Sequence, residues 1–371
     1  MAITILHTSD IHLGSKFGFL AGKAGEQRDL LRRTFAKIPE VAQAQEADLL
    51  VLAGDLFDSP YPSSADVTQV QVVFSQLLGA GVKVALIPGN HDRLETGSIF
   101  ATDAFAKLEE QGLHIFREHK PTLKTFPELG INVYGTATKD RVTKVSPLAE
   151  LSVDKSLPAI GVFHGSVDLM AKPENSPIYK QNIEDSGLAY VALGDWHSSL
   201  NIGTIKTKAW YCGSPEVLQA DQAGAGSILK VELGETVSVE PIRIGHRSVH
   251  TEKYSVNTEL NTAELITHIK TKVNKQDFLD LTLEGNVGLD NAPDIDAIKT
   301  LLADICFYAK ISDKTEFHLS DSELASFPAD TIIGRYIRLV QEYKQTSSDP
   351  DLADDALRLG VSMLRPITDD H

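Results

Sequence analysis

LLVLAGDLFD, residues 49–58, is five apolar residues followed by a glycine and a carboxylate. The run is too short and too uniformly apolar for an amphipathic helix, so it reads as a parallel strand buried on both faces. Gly54 then turns the chain and leaves Asp55 at the strand's carboxyl end. The same plan recurs outward from this segment. Towards the start, ITILHT (3–8) breaks at Ser9-Asp10 and places Asp10 and His12 in TSDIHLG. Towards the end, KVALIPG (83–89) leads to Asn90, His91 and Asp92, a strand at 159–163 leads to His164, and a strand at 189–193 leads to Asp195 and His197 in VALGDWH. Between these runs, Leu30, Leu31, Phe35, Ile38, Val41 and Ala42 recur at helical spacing from Glu26 to Ala47, and further helices are predicted near 65–78 and 99–111. Strands alternating with helices give an α/β class with its reactive groups at the carboxyl ends of the strands.

From 201 to 243 the segments NIGTI, AWYCG, GSILKVEL and TVSVEPIRI alternate without helical spacers, which predicts an antiparallel addition. Composition changes near Gly245. Val249 to Ser320 reads strand, helix, strand, helix, strand: VHTEKYSV, a helix opened by Asn261 with Glu264 three residues on, DFLDLTLEG, a helix after Pro293, and TEFHLS. Two amphipathic helices follow Phe327. Ile332, Ile333, Tyr336, Ile337, Val340 and Tyr343 share a face of the first, and Pro350 begins the second, with TSSDPD (346–351) as the turn between them. The expected divisions are 1–245, 246–326 and 327–371.

With 371 residues and 42% apolar content the chain can bury a full core. A net charge of −16 excludes a surface that attracts nucleic acid everywhere, but not a local groove. Lys139, Arg141 and Lys144 follow the GTAT strand end and could touch a DNA backbone, but a solvated loop is the better reading. Cys212 and Cys306 stand alone without metal-finger spacing, which fits a reducing compartment. No uncharged apolar run approaches the roughly 20 residues of a membrane span, and MAITILHTSD lacks the basic-then-apolar pattern of a leader. A cytoplasmic protein with no membrane association is the expectation.

Each polar cluster alone is weak evidence, since Asp-x-His and Gly-Asp after a strand are commonly plain turns. Their joint occurrence at five strand ends points to a two-metal phosphoesterase site. Such a site needs a carboxylate shared by two divalent ions and otherwise mixed nitrogen and oxygen donors. Asp55, after its tight turn, can approach both ions. Asp10 and His12 can reach one of them, Asn90 offers a neutral amide oxygen, and His91 is free to act on substrate.

In order and spacing these clusters resemble the DxH, GD, GNHD, H and GHxH motifs of the calcineurin-like metallophosphoesterases. The match covers roughly residues 1 to 245. The resemblance implies an α/β/β/α sandwich carrying a small α+β capping domain and C-terminal helices. It implies Asp10, His12, Asp55 and His197 around one ion, and Asp55, Asn90 and His164 around the other. It also implies that an activated water attacks phosphorus while His91 steadies the transition state or protonates the leaving oxygen, with Asp92 orienting the His91 ring. Asp195 stands where the family usually has the first His of GHxH. It is expected to ligate through oxygen in a harder shell that favours Mn²⁺, the alternative being that it points away and leaves that site weak.

SDIHLG, GDLFDSPYPSSAD, GNHD and WYCGSPEVLQAD look most like the SbcD-type nucleases within that superfamily. That branch implies a Mn²⁺-dependent exonuclease and endonuclease cutting DNA in repair, with an SbcC-like ATPase docked on the C-terminal helices and a homodimer compatible with the layout. The alternative is a metallophosphoesterase acting on small phosphodiesters or phosphomonoesters.

Overall fold

The apolar runs become strands whose pairing explains their composition. Leu49–Ala53 (β2) lies between Ile3–Thr8 (β1) and Lys83–Ile87 (β3), parallel to both, and every one of its residues is buried. A strand with neighbours on both edges and layers on both faces has no polar side, which is why LLVLA does not alternate. Leu113–Ile115 (β4) extends this sheet in parallel, and Ser227–Leu233 (β11) and Val237–Arg243 (β12) close its other edge antiparallel. The second sheet runs Thr122–Phe126 (β5), Ile131–Gly135 (β6), Ala159–His164 (β7), Tyr190–Gly194 (β8), Lys208–Tyr211 (β10) and Leu200–Asn201 (β9). β2 and β3 pack against β7 and β8, so the carboxyl ends of both sheets meet along one edge. Helices Ala24–Ala36 (α1), Ile38–Ala44 (α2), Ser64–Gly79 (α3) and Asp103–Glu110 (α4) accompany the first sheet, and Lys180–Asp185 (α5) adds Ile183 to the core of the second.

The computed structural model describes residues 2–169, 175–288, 291–317, 327–346 and 349–364. They fall into two units, Met1–Val249 and His250–His371. The second unit contains all but the first residue of Val249–Thr258 (β13), with Thr262–Lys270 (α6), Phe278–Val287 (β14), Ile295–Leu302 (α7) and Tyr308–Phe317 (β15), β14 being central in the sheet and parallel to β15. Asn261 caps α6 by accepting the Glu264 N–H. Ile332–Thr346 (α8) and Pro350–Leu364 (α9) pack through Ile337, Leu357 and Val361. Residues 318–320 of TEFHLS and 347–348 of TSSDPD lie outside the described residues.

Three sequence expectations change. The helix expected from 26 to 47 is two helices, because Pro39 at the start of α2 cannot continue the hydrogen-bond ladder of α1. The strands after 200 are not one antiparallel addition. β10 runs parallel to β8, while β11 crosses to the other sheet and pairs with β1. β4 and β5 were not expected, being short and only partly apolar.

Candidate metal centre

Gly54 and Gly89 allow the strand ends to crowd together. A Cβ on Gly54, at φ +92°, would lie 2.4 Å from His164 Nδ1, and one on Gly89 would lie 2.1 Å from Asp55 Oδ1. Left-handed backbone then aims the donors. Among the described residues nine non-glycines have positive φ, and four of them are Asp10, His12, Asp55 and Asp195. Each such conformation costs about 1–3 kcal/mol and persists only where surrounding packing enforces it. Concentrating that strain on one cluster is the mark of a site held for chemistry rather than for stability.

Asp55 stands at the middle. Its Oδ1 accepts the His91 backbone N–H at 2.9 Å, and its Oδ2 lies 3.5 Å from His12 Nε2 and 3.4 Å from His164 Nε2. On the His12 side, Asp10 Oδ1 is 3.9 Å from His197 Nε2, and the two ring nitrogens Nε2 of His12 and His197 are 3.2 Å apart. On the His164 side, Asn90 Oδ1 is 2.7 Å and Asp195 Oδ1 3.7 Å from His164 Nε2. The seven residues expected as ligands therefore meet in two donor sets that share one carboxylate. Both sets offer mixed imidazole nitrogen and carboxylate or amide oxygen, the chemistry of a borderline divalent ion.

The hydrogen bonds behind these atoms test whether cations fit. His164 Nδ1 donates to the Ala53 carbonyl at 2.9 Å, so the neutral ring presents a lone pair at Nε2, facing the oxygens of Asn90 and Asp55. Lone pairs at that separation repel unless a positive charge lies among them. Burial pulls His164 down, but Asp55, Asp195 and Asp10 outweigh it and hold the ring well above the ordinary histidine range. At the other set, Leu218 and Gln219 N–H groups fix the Gln222 Oε1, so the Gln222 amide nitrogen donates to His197 Nδ1 at 2.6 Å. The Nε2 proton of that ring then lies towards His12, so ligation through Nε2 moves the proton of His197 to Nδ1 and requires the Gln222 amide to turn its oxygen there. Burial also pulls His12 down, yet its Asp58 hydrogen bond with the charges of Asp55 and Asp10 raises it overall. Asp55 is held below its usual range: burial opposes this, and His164 and His12 overcome it. Without metal, protons occupy the places that two cations suit, and metal binding releases such protons.

Two residues have tasks that the motifs did not predict. Asp92 does not orient His91. It is buried, and its carboxylate accepts the Gly89 N–H at 2.7 Å and the Phe57 N–H at 3.1 Å, tying the GNHD turn to the GDLFD turn. Burial beside Asp55 raises it to about 7. The carboxylate facing His91 belongs to Asp58, at 3.6 Å from Nδ1, and the same oxygen lies 3.1 Å from His12 Nδ1. Asp58 sits three residues after Asp55 in GDLFD, one turn further along the same loop, where a closer look at spacing finds it. His91 itself is a third exposed, with its ring edge on to His12 at 4.6 Å between centroids. Gln222 follows the WYCGSPEVLQAD segment and carries no metal signal of its own. Asp195 is held by Ser166 Oγ at 2.7 Å on one oxygen and turns the other towards His164.

Residues 3–199 match the family model for calcineurin-like phosphoesterases. The chain belongs to this family and is a metal-dependent phosphodiesterase, and its two mixed sheets with outer helices are the metallophosphoesterase fold. It is similar to the DNA double-strand break repair protein Mre11 of Saccharolobus solfataricus, 23% identical over 304 residues that cover 76% of this chain and 75% of that one. It is also similar to the uncharacterized metallophosphoesterase YhaO of Bacillus subtilis, 26% identical over 60% of this chain and 55% of the relative. The SbcD component of the Escherichia coli K12 nuclease SbcCD is 23% identical over 65% of this chain and 68% of its own length. No described helix is long and apolar enough to cross a membrane.

Proposed function

We propose that the chain is a DNA nuclease of the SbcD type, cutting phosphodiester bonds at a centre of two divalent ions, with Mn²⁺ the favoured metal. The observation that carries this is the pair of donor sets meeting at Asp55 Oδ2, with a partly exposed His91 beside them. Bound there, two divalent ions would neutralise charge developing on phosphorus and activate a water. Asp10, His12, Asp55 and His197 would hold one, and Asp55, Asn90, His164 and Asp195 the other. His91 lies on the open side, where Asp58 orients its ring and an imidazolium can hand a proton to the leaving oxygen. Asp92 keeps the loop that carries Asn90 and His91 against the loop that carries Asp55. The nuclease relatives support DNA as substrate.

The α+β unit would act as the cap. The helix pair α8 and α9 would dock an SbcC-like ATPase, supported by exposed Ile332, Leu339, Tyr343, Leu359 and Met363. The test is purified protein with Mn²⁺ on single-stranded DNA, duplex ends and a chromogenic phosphodiester, side by side. Cleavage of the small ester with no DNA cut under any condition would replace the nuclease with a small-phosphoester hydrolase.

A further inference from the structure

The loop between β6 and β7 lines two cavities that reach the candidate metal centre. Its base is tied to the GNHD turn, since Thr138 N–H donates to the Pro88 carbonyl and Leu94 N–H donates to the Thr138 carbonyl, each at 3.2 Å. Its far end is closed by Thr136 Oγ1 donating to the Pro147 carbonyl at 2.7 Å. The middle is pinned as well: Asn175 Oδ1 accepts the Thr143 N–H, Asn175 Nδ2 donates to the Arg141 carbonyl, and Ser176 N–H donates to the Thr143 carbonyl. A ten-residue span with so many fixed points is a built feature, not slack chain.

Its side chains go to two cavities. Lys139, with Thr143 and Ser146, lines one that reaches His164. Arg141, with Tyr61 and Arg93, lines another that reaches Asn90 and His91. Arg93 is paired with Glu95, but neither Lys139 nor Arg141 has a carboxylate in ion-pair range among the described residues. Asp140 and Asp58 are the other acids at these cavities, and Asp58 is committed to His12 and His91. In a chain of net charge −16, two exposed cations with no carboxylate partner among the described residues, each lining a cavity that reaches the centre, are free to meet an anionic ligand.

The geometry points to the 138–147 loop as a strand guide. Lys139 and Arg141 take backbone phosphates of a polynucleotide in the two cavities that lead to the centre, and Tyr61, 60% exposed at the Arg141 cavity, gives a neighbouring base a stacking face. This assignment rests on the nuclease proposal. It explains how a strongly acidic protein can hold an anionic polymer: attraction is confined to the few contacts that flank the site. A small ester lacks the flanking phosphates that these two cations would take.

The experiment compares the full chain with its K139Q/R141Q variant, with Mn²⁺, on a single-stranded oligonucleotide and on bis(4-nitrophenyl) phosphate, from 50 to 200 mM salt. Each phosphate contact on a single strand contributes about −0.7 to the slope of log affinity against log salt. The variant is expected to lose about 1.4 of that slope. Its kcat/KM on the oligonucleotide should fall at least tenfold further than on the small diester, through KM rather than kcat. An unchanged slope with oligonucleotide cleavage intact overturns the guide and leaves the nuclease standing. Equal losses on both substrates also overturn it, making the loop part of the centre's construction. If the unsubstituted chain hydrolyses the diester but neither cuts nor binds the oligonucleotide, the nuclease proposal falls and the guide with it.

Discussion

Asp58 gives the sharpest test of the centre, because one oxygen serves two rings. It lies 3.1 Å from His12 Nδ1, a hydrogen bond that orients a candidate ligand, and faces the Nδ1 of the candidate acid His91 at 3.6 Å. In Asp58→Asn the amide oxygen can still accept from His12, but the charge is lost. In Asp58→Ala both are lost, and His12 is free to turn. Carboxylates behind metal-bound histidines typically contribute 10–100-fold in metal affinity or activity, about 1.4–2.8 kcal/mol. The Asp58 side chain is 31% exposed, so solvent screens part of its charge, and the orienting hydrogen bond is the larger share. Asp58→Asn is therefore expected near tenfold and Asp58→Ala nearer a hundredfold in Mn²⁺ affinity by titration calorimetry, with kcat on a chromogenic diester falling further because His91 is released too. Unchanged affinity and kcat in Asp58→Ala would refute this account of how His12 and His91 are held.

Asp55→Asn should harm both donor sets at once, so elemental analysis should find bound metal falling from two ions to fewer than one per chain, whereas loss of a single ion would show that Asp55 does not bridge. His91→Ala should keep the metal and lower turnover by about two to four orders of magnitude, the range for a positioned acid; metal lost along with activity would make His91 a ligand. His7 is fully buried beside Tyr190, and burial pushes it from 6.5 down to about 3. The folded chain thus refuses a proton that the unfolded chain accepts below pH 6.5, so its contribution is complete above that pH and is lost progressively as pH falls towards 3. Between pH 7 and 4.5 a His7→Gln chain should lose roughly 2–3 kcal/mol less stability in urea than the unsubstituted metal-free chain; equal losses would place the acid sensitivity elsewhere.

The strands that carry the site, and most of its donors, were legible in the order of residues. Runs such as LLVLA and KVALI have one low-energy use, burial between parallel neighbours, and the polar residue after each is thereby placed at a strand's carboxyl end. That is local information, so it survives in the linear chain. Long-range packing settled how the strands divide between two sheets, since β11 pairs with β1 some 220 residues away and nothing in SILKVEL names its partner. Packing also set the tasks of the supporting residues. The family resemblance gave Asp92 the task of orienting His91, but its carboxylate accepts the Gly89 and Phe57 N–H groups. The space beside the His91 ring went to Asp58 from another loop. Lys139 and Arg141 could be read from sequence as a solvated loop; only the fixed path of residues 138–147 brings them to the cavities that reach the centre. Which residues bear chemistry is written in type and spacing, whereas which residue serves which depends on distances that exist only once separate loops converge.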